Sequence, residues 1–269
     1  MTGQGNKDKP TALITGAASG LGLEIARQLA ENYHLLLLDL DIRLLRKQTG
    51  DVGDVTYLQC DLSNPVDITR LISEVKDMML PIDVLINNAG ITHRSLATNT
   101  QTDVIRKVMD VDFLGPVQLT QGLLPQLSEQ ASIVNIGSMA GWMPVLGRAG
   151  YCAAKSALHQ YFETLRAELA GSDIHILMVY PSFLDTPIDK NALDGRGGNA
   201  TGTRSMVGRM RSSHWMASRV ISALNARKAR VFPDRFTFLS SLLYRLFPAL
   251  YLHLMRKRLS PEFKVRQDR

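Results

Sequence analysis

The sequence predicts an α/β fold, a doubly wound parallel sheet of about seven strands with helices on both faces. Short apolar runs of strand length alternate along the chain with longer segments of helical periodicity. The strand-like runs are apolar without interruption, which is typical of strands covered on both faces. Glycine, proline or polar residues follow the carboxyl ends of these runs, where ligands bind in sheets of this kind.

Length and composition are those of one large globular domain. The 269 residues can bury a full core, and 45% hydrophobic with 21% charged residues is an ordinary balance. Residues 1–10 are polar, so we predict a flexible tail without a signal or anchor, and a cytoplasmic location. Cys60 and Cys152 are too few for a disulfide framework and lack metal-ligand spacing with the histidines, so no metal site is predicted.

The first predicted strand, residues 11–15, leads into a glycine-rich loop and then a helix. The loop reads Gly16-Ala-Ala-Ser-Gly-Leu-Gly22, and apolar residues at helical spacing follow it. Glycines let the backbone approach a pyrophosphate, and the free N–H groups of a helix N-terminus favour an anion. Three glycines alone are often only a turn, but the flanking strand and helix favour nucleotide binding.

The second strand, residues 34–38, ends at Asp39, which lies 17 residues beyond Gly22. A carboxylate at this place suits hydrogen bonds to the ribose hydroxyls of an adenosine and repels a 2′-phosphate, which favours NAD over NADP. Two observations leave NADP open. Arg43 and Arg46 in the next helix could reach such a phosphate, and an acidic residue at a strand end is also a common helix cap.

Five further strands are predicted, at residues 55–60, 83–87, 132–136, 174–180 and 229–232. Asp61 closes the third strand, and Pro65 stands near the first turn of the helix that follows. After the fourth strand a sharp loop at Asn88 leads into a long helical pattern, which continues past Gly115 towards Leu127. Right-handed crossovers would bring all the strand ends to one edge.

The chemistry is predicted on a helix from about Arg148 to Gly171, where Tyr151 and Lys155 lie one turn apart on the same face. A phenol with a pKa near ~10 is a poor base at neutral pH unless a nearby cation favours the phenolate. Ser138 could hydrogen-bond a substrate oxygen while Tyr151 exchanges a proton with it. For the tyrosine and lysine alone, the alternative is a buried phenol beside a snorkelling side chain.

Together these motifs resemble the short-chain dehydrogenase/reductase family, whose members have the Rossmann fold, from about residue 11 to residue 186. The family's TGxxxGxG stands here as residues 15–22 and its NNAG as residues 87–90. Its serine and YxxxK are Ser138, Tyr151 and Lys155. The order and spacing of several motifs are far more specific than any one of them.

The resemblance implies a role for each motif residue. Tyr151 would donate or accept the proton, Lys155 would lower its pKa and hold the nicotinamide ribose, and Ser138 would polarise the substrate oxygen. The implied dinucleotide contacts are the glycine loop (Gly16, Ser19, Gly20, Leu21 and Gly22), Asp39 at the adenosine ribose, Asp61 and Leu62 at the adenine, Asn88, Ala89 and Gly90 at the far ribose, and Pro181 and Thr186 at the nicotinamide. Family members usually form dimers or tetramers, so a homo-oligomer is expected.

Two positions depart from the family pattern. Ser182 replaces a usual glycine and removes some backbone freedom at the nicotinamide pocket. Asp112 stands where the family commonly has an asparagine, the fourth member of its catalytic group, which helps to hold a proton-relaying water. An ionised aspartate has only acceptors, and it would stabilise the Lys155 ammonium and compete with Tyr151 for it.

The substrate is expected under the chain beyond Thr186. Residues 188–206 are rich in Gly, Asn, Asp and Thr and are predicted to form a mobile lid. Other loops offer pocket candidates of mixed but largely apolar character: Thr92, His93, Arg94, Trp142, Met143 and Val145. They favour a hydrophobic alcohol or ketone as the substrate.

We predict a domain at residues 11–235, followed by a C-terminal extension at residues 236–269 that is amphipathic and basic. Residues 204–269 hold 15 Lys/Arg against 3 Asp/Glu, whereas residues 1–203 hold 16 against 22, so the overall charge of +6 does not indicate nucleic-acid binding. The helical pattern at 236–258 is too interrupted to span a bilayer. Two interpretations remain: peripheral contact with a membrane, or packing against the domain or in a dimer interface.

The function predicted from these residues is NAD(P)-dependent hydride transfer between the nicotinamide and a secondary alcohol or ketone, with Tyr151 as acid and base. Asp39 favours NAD as the cofactor. The alternative is a dinucleotide-binding sensor or scaffold that turns over little because of Asp112.

Overall fold

The computed structural model of the chain describes residues 9–201 and 210–264. Its β-strands are β1 (Thr11–Thr15), β2 (His34–Asp39), β3 (Val55–Gln59), β4 (Ile82–Asn87), β5 (Leu127–Ile136), β6 (His175–Val179), β7 (Leu184–Asp185), β8 (Arg211–Ser212) and β9 (Arg230–Val231). Its α-helices are α1 (Gly20–Leu29), α2 (Ile42–Gln48), α3 (Pro65–Asp77), α4 (Thr102–Met109), α5 (Gly115–Leu123), α6 (Ala149–Glu168), α7 (Ser213–Asn225), α8 (Arg235–Leu246), α9 (Pro248–Leu259) and α10 (Pro261–Lys264).

Seven strands form one parallel sheet in the order β3-β2-β1-β4-β5-β6-β9. The predicted doubly wound fold is thus confirmed. The chain builds outward from β1 to β3, returns to the other side of β1 at β4, and continues to β9. A crevice is left where the strand order reverses, and ligands bind there in open α/β sheets.

Both faces of the sheet are covered, which explains the unbroken apolar strands. On one face Ile14 and Leu37 pack with Ile25 of α1 and Val220 of α7. On the other face strand residues such as Leu36 pack with α3, α5 and α6, through side chains that include Ile68, Leu119, Leu158 and Phe162. Because successive strand residues point to opposite faces, each strand contributes to both layers.

The long helical pattern after β4 is interrupted in the middle by a π-helical turn. Residues Asp110–Leu114 adopt this turn between α4 and α5, and Asp112 is fully buried within it. A π-turn holds one extra residue, and such turns are frequent at functional sites. The sequence pattern predicts a continuing helix here but does not distinguish the π-turn from an ordinary one.

The predicted lid and extension have the following local structure. Residues 188–201 of the lid begin in a short 3₁₀ turn, and Leu193 forms β-bridges with Asn199 and with His93. Residues 202–206 lie outside the described residues. The mobility of the lid remains a prediction. The extension folds as α8, α9 and α10 with a break at Phe247 and Pro248, and residues 265–269 lie outside the description, as do residues 1–8 of the tail.

Candidate active site

A cavity of about 1020 Å³ opens at the carboxyl ends of the strands. Most of the predicted site residues line it: Gly16, Ser19, Gly20, Leu21, Asp39, Asp61, Leu62, Asn88, Ala89, Gly90, Ser138, Tyr151, Pro181 and Thr186. Gly22, Lys155 and Asp112 do not line it and lie in the layer behind. No group of three or more potential metal ligands occurs within residues 9–201 and 210–264.

The glycine loop is packed so closely against the loop after β4 that side chains would not fit. A Cβ atom on Gly22 would lie 2.3 Å from the carbonyl oxygen of Gly16 and 2.5 Å from the Asn88 amide nitrogen. The backbone N–H groups of Asn88 and Ala89 donate to the Thr15 hydroxyl at 2.9 and 3.0 Å. These hydrogen bonds hold the two predicted nucleotide motifs together at the crevice.

The N-terminus of α1 faces this loop with features that suit an anion. Ser19 stands at the cap position, and its side chain makes no capping hydrogen bond to the helix. The first turn of α1 contains no acidic residue. The N–H groups and the positive end of the helix dipole therefore favour a phosphate, and the residues present fit a dinucleotide diphosphate.

Asp39 lies at the end of β2 and lines the cavity. One of its carboxylate oxygens accepts a hydrogen bond from the Ala18 N–H at 2.9 Å, which ties the side chain to the glycine loop. The guanidinium of Arg46 lies 4.6 Å above the Tyr57 ring, and Arg43 is exposed. At the end of β2 the charged group that lines the cavity is therefore the Asp39 carboxylate, and neither Arg43 nor Arg46 lines it.

Tyr151 lies in the first turn of α6, and its side chain lines the cavity as that of Ser138 does. Burial raises the pKa of the phenol, and the charge of Asp112 raises it further, whereas Lys155 and the Ser138 hydroxyl lower it. The net direction is upward. The sequence correctly suggests that Lys155 favours the phenolate, but burial outweighs that effect in this structure.

Lys155 and Asp112 form a buried ion pair beneath Gly90. The Lys155 ammonium lies 3.2 Å from one Asp112 oxygen and donates to the Ile136 carbonyl at 3.1 Å. The other Asp112 oxygen accepts from the Ile91 N–H at 2.8 Å. Burial opposes the charge on Lys155, but the attraction of Asp112 and Tyr151 outweighs it and raises the lysine pKa. The ammonium is therefore retained at neutral pH, and its nearest anion is Asp112.

Comparisons with known proteins decide the family. The family model for short chain dehydrogenases matches residues 10–197. The chain is also 32% identical over 270 residues to the rat (Rattus norvegicus) dehydrogenase/reductase SDR family member 7B, covering 95% of this chain and 83% of that protein. The chain belongs to the short-chain dehydrogenase/reductase family. The resemblance inferred from the motifs is thereby confirmed.

Solved structures support the fold of this short-chain dehydrogenase/reductase. A family member from Burkholderia phymatum in complex with NAD superposes with a TM-score of 0.79 at 23% identity, covering 90% of this chain and 95% of that one. An alcohol dehydrogenase from Thermococcus sibiricus, complexed with 5-hydroxy-NADP, gives 0.70 at 21% identity, covering 83% and 94%. At these identities the likeness concerns the fold.

Three of the six pocket candidates named from the loops do not line the cavity of this short-chain dehydrogenase/reductase. Thr92, Met143 and Val145 line it, whereas His93, Arg94 and Trp142 are absent from its wall. The last three occupy other places because each has partners within the fold. The Trp142 ring, for example, packs in an aromatic cluster with Tyr180, Phe232 and His159.

His93 instead positions the start of α6, the helix that carries Tyr151. It is fully buried, and its Nε2 accepts a hydrogen bond from the Gly150 N–H at 2.9 Å. The proton is therefore on Nδ1, which lies 3.0 Å from the Ser95 hydroxyl. Burial, followed by the charge of Arg148, lowers the pKa of His93 to about 4. No short-range sequence signal links residue 93 to residue 150.

This neutral histidine makes stability depend on pH. Because the pKa of His93 is about 4 in the fold and near ~6.5 when unfolded, the unfolded chain binds more protons between these values. The free energy of unfolding should then fall as the pH drops through this range, by roughly 3 kcal/mol from His93. Urea unfolding at pH 7 and at pH 4.5 should show a smaller fall in His93→Gln, which keeps an acceptor for Gly150.

The exposed His253 provides the control for this measurement. His253→Gln should show the same fall in the free energy of unfolding as the wild type, and His159 and His175 contribute equally in all three proteins. Equal pH dependence in His93→Gln and the wild type would contradict the role assigned to His93.

The C-terminal extension supplies a wall of the cavity that the motifs do not predict. Phe236, Ser240 and Leu243 of α8 line it at helical spacing, and so do several residues of α9 and α10: Tyr251, Leu254, Met255, Lys257, Arg258, Leu259 and Glu262. The repeat of Phe236, Ser240 and Leu243 at steps of four and three is the sequence signal that could have indicated a cavity-facing stripe.

Proposed function

We propose that this protein transfers a hydride between NAD and a hydrophobic secondary alcohol or ketone, with Tyr151 as the general acid and base. The observation that carries the proposal is the meeting of two hydroxyls at the wall of the cavity. Tyr151 and Ser138 both line the cavity there, together with the glycine loop and Asp39, and Ser138 lowers the pKa of the Tyr151 phenol. Membership of an oxidoreductase family supports the proposal.

The side chains divide the proton chemistry between them. The Ser138 oxygen accepts the Ala140 N–H at 3.1 Å, and its O–H can donate a hydrogen bond to the oxygen of a substrate. Tyr151 then donates its proton to that oxygen in reduction and removes it in oxidation. The retained charge on Lys155 stabilises the phenolate that reduction leaves behind. The dinucleotide, when bound, supplies or accepts the hydride.

NAD is the proposed cofactor because of Asp39. The carboxylate is held by Ala18 and faces the cavity beside the glycine loop, where it would meet the adenosine ribose. The similar structures include one in complex with NAD and another with 5-hydroxy-NADP, so similarity alone does not decide between NAD and NADP.

The cavity wall supports a hydrophobic substrate. Many of the side chains that line it are apolar, among them Met143, Val145, Leu146, Ile188, Leu193, Phe236, Leu243 and Met255. Apolar walls with few polar groups are typical of sites that bind small apolar ligands. The polar groups needed for orientation are then Ser138 and Tyr151.

Fluorescence titration with NADH and NADPH, followed by turnover assays on a panel of hydrophobic alcohols and ketones, tests the proposal. We expect tighter binding of NADH and oxidation or reduction of at least one class of hydrophobic substrate. Tighter binding of NADPH would overturn the assignment of Asp39. Dinucleotide binding without turnover on any substrate would instead favour a sensor or scaffold.

The buried pair of Asp112 and Lys155 favours the second function, that of a sensor or scaffold. Because the Asp112 charge raises the pKa of Tyr151, Asp112→Asn should lower it and let Lys155 act on the phenol alone. We therefore expect the rise of kcat/KM with pH in alcohol oxidation, which follows deprotonation of Tyr151, to move to lower pH. Asp110→Asn, in the same π-turn, is the control. An unchanged pH profile in Asp112→Asn would show that the carboxylate does not restrain Tyr151.

A further inference from the structure

The helix pair α8–α9 carries a large exposed apolar surface. Of the fifteen large hydrophobic side chains that are exposed in the described part of the chain, eight belong to this pair and a ninth, Phe247, lies between its two helices. Leu239, Leu242 and Leu246 share one face of α8 by their spacing, and Phe247 and Leu250 continue the surface across the break into α9. We call these five residues the apolar ridge. Exposed apolar surfaces of this kind mark sites of interaction.

The same helix pair is strongly basic. Residues 235–259 contain five Lys/Arg (Arg235, Arg245, Arg256, Lys257 and Arg258) and no Asp or Glu. Arg256, Lys257 and Arg258 are exposed on the last turn of α9. An apolar face bordered by uncompensated positive charge complements a surface that is apolar inside and anionic at its edge.

Contacts made by residues outside the apolar ridge fix the helix pair to the rest of the domain. The Tyr251 hydroxyl donates to the Pro144 carbonyl at 2.9 Å, and the Arg245 guanidinium lies 4.1 Å above the Trp142 ring. Beyond α9, Glu262 forms a buried ion pair with Arg148 at 3.1 Å. The orientation of the pair is therefore determined without the apolar ridge, which is left facing outward.

The cavity reaches the surface beside the apolar ridge. Phe236 and Leu254 line the cavity and are also exposed, and so are the basic residues Lys257 and Arg258. A hydrophobic molecule that entered the cavity here would pass between apolar side chains of α8 and α9.

We infer that the apolar ridge and its basic border rest on an anionic lipid surface, which places the mouth of the cavity at the membrane interface. No helix in the described residues 9–201 and 210–264 is long and apolar enough to cross a bilayer, so the contact would be peripheral. A second copy of the chain would present a face with the same net positive charge, and charge repulsion opposes such a pairing. Anionic headgroups neutralise this charge.

Co-sedimentation of the full chain with vesicles tests this inference. Vesicles of phosphatidylcholine with about one third phosphatidylserine should bind the wild type, and binding should weaken with added salt and with phosphatidylcholine alone. Leu246→Glu combined with Leu250→Glu places two charges in the ridge and should reduce binding about tenfold or more. Both side chains are exposed, and neither lines the cavity, so folding and NADH binding should be kept.

Val66 supplies the matched control, because it is an apolar residue of α3 that is 77% exposed outside the ridge. Val66→Glu should bind vesicles as the wild type does. Tyr151→Phe should also bind them unchanged, so the result does not depend on the proposed hydride transfer.

Three results would overturn the inference. The first is a wild type that does not sediment with either kind of vesicle, and the second is a double ridge variant that binds as tightly as the wild type. In the third, sedimentation velocity would find a wild-type dimer that the ridge variant converts to a monomer, without vesicle binding. The face would then be an interface between two copies of the chain.

Discussion

Tyr151→Phe should lower kcat by roughly a hundred- to ten-thousand-fold, the usual contribution of a positioned general acid or base. The substitution removes the only hydroxyl of this residue and leaves the ring, so the packing at the start of α6 is preserved. Ser138 would keep its hydrogen bond from the Ala140 N–H. The affinity for NADH, measured by fluorescence titration, should change little.

Tyr161→Phe is the matched control for this loss, since Tyr161 lies on the same helix and packs against Phe113 and Phe162 away from the cavity. Its kcat should equal that of the wild type. If Tyr151→Phe retained most of its activity with unaltered protein stability, Tyr151 would not be the acid and base, and another proton donor in the cavity would have to be sought.

Gly22→Ala should damage both the nucleotide site and the fold. The added Cβ would lie 2.3 Å from the Gly16 carbonyl oxygen, and backbone at this distance has to move. It would also meet the Asn88 amide at 2.5 Å, and this amide donates to the Thr15 carbonyl. We expect at least about a tenfold loss in NADH affinity and a loss of about 1–3 kcal/mol in the free energy of unfolding, as for other overpacked positions.

Gly171→Ala separates this effect from a general intolerance of alanine. Nothing lies within 4 Å of a Cβ built on Gly171, just beyond the end of α6. Urea unfolding and NADH titration of Gly171→Ala should therefore match the wild type. Normal NADH affinity in Gly22→Ala would mean that the glycine loop does not form the diphosphate site.

Much of this molecule could be predicted from the sequence because its signals are local. Each signal is contained in a short stretch of sequence. This holds for the apolar runs at β1 and β2 with the glycines between them, and for the spacing of Tyr151 and Lys155. In a parallel sheet the strand ends meet at one edge, so Asp39 and Ser138 could be assigned to one cavity before any coordinates were known.

The sign of the pKa shift at Tyr151 was decided only by the tertiary structure. The sequence shows that a lysine stands one turn away, but the extent of burial and the presence of Asp112 depend on how the π-turn packs against α6. Burial is a property of all surrounding elements together. A motif shows which charged residues are close together along the helix, but it does not show how far the fold excludes water from them.

The sequence by itself determined the family, the parallel sheet and the motif residues, since each depends on short-range spacing or on the order of strands. Only the tertiary structure decided that His93 holds Gly150, that Glu262 pairs with Arg148, and that α8 and α9 line the cavity while exposing an apolar ridge. These contacts join residues that are distant in sequence, 114 positions apart for Arg148 and Glu262. The physical reason is that hydrophobic periodicity indicates which face of a helix is buried, whereas the partner of that face is chosen by packing of the whole chain.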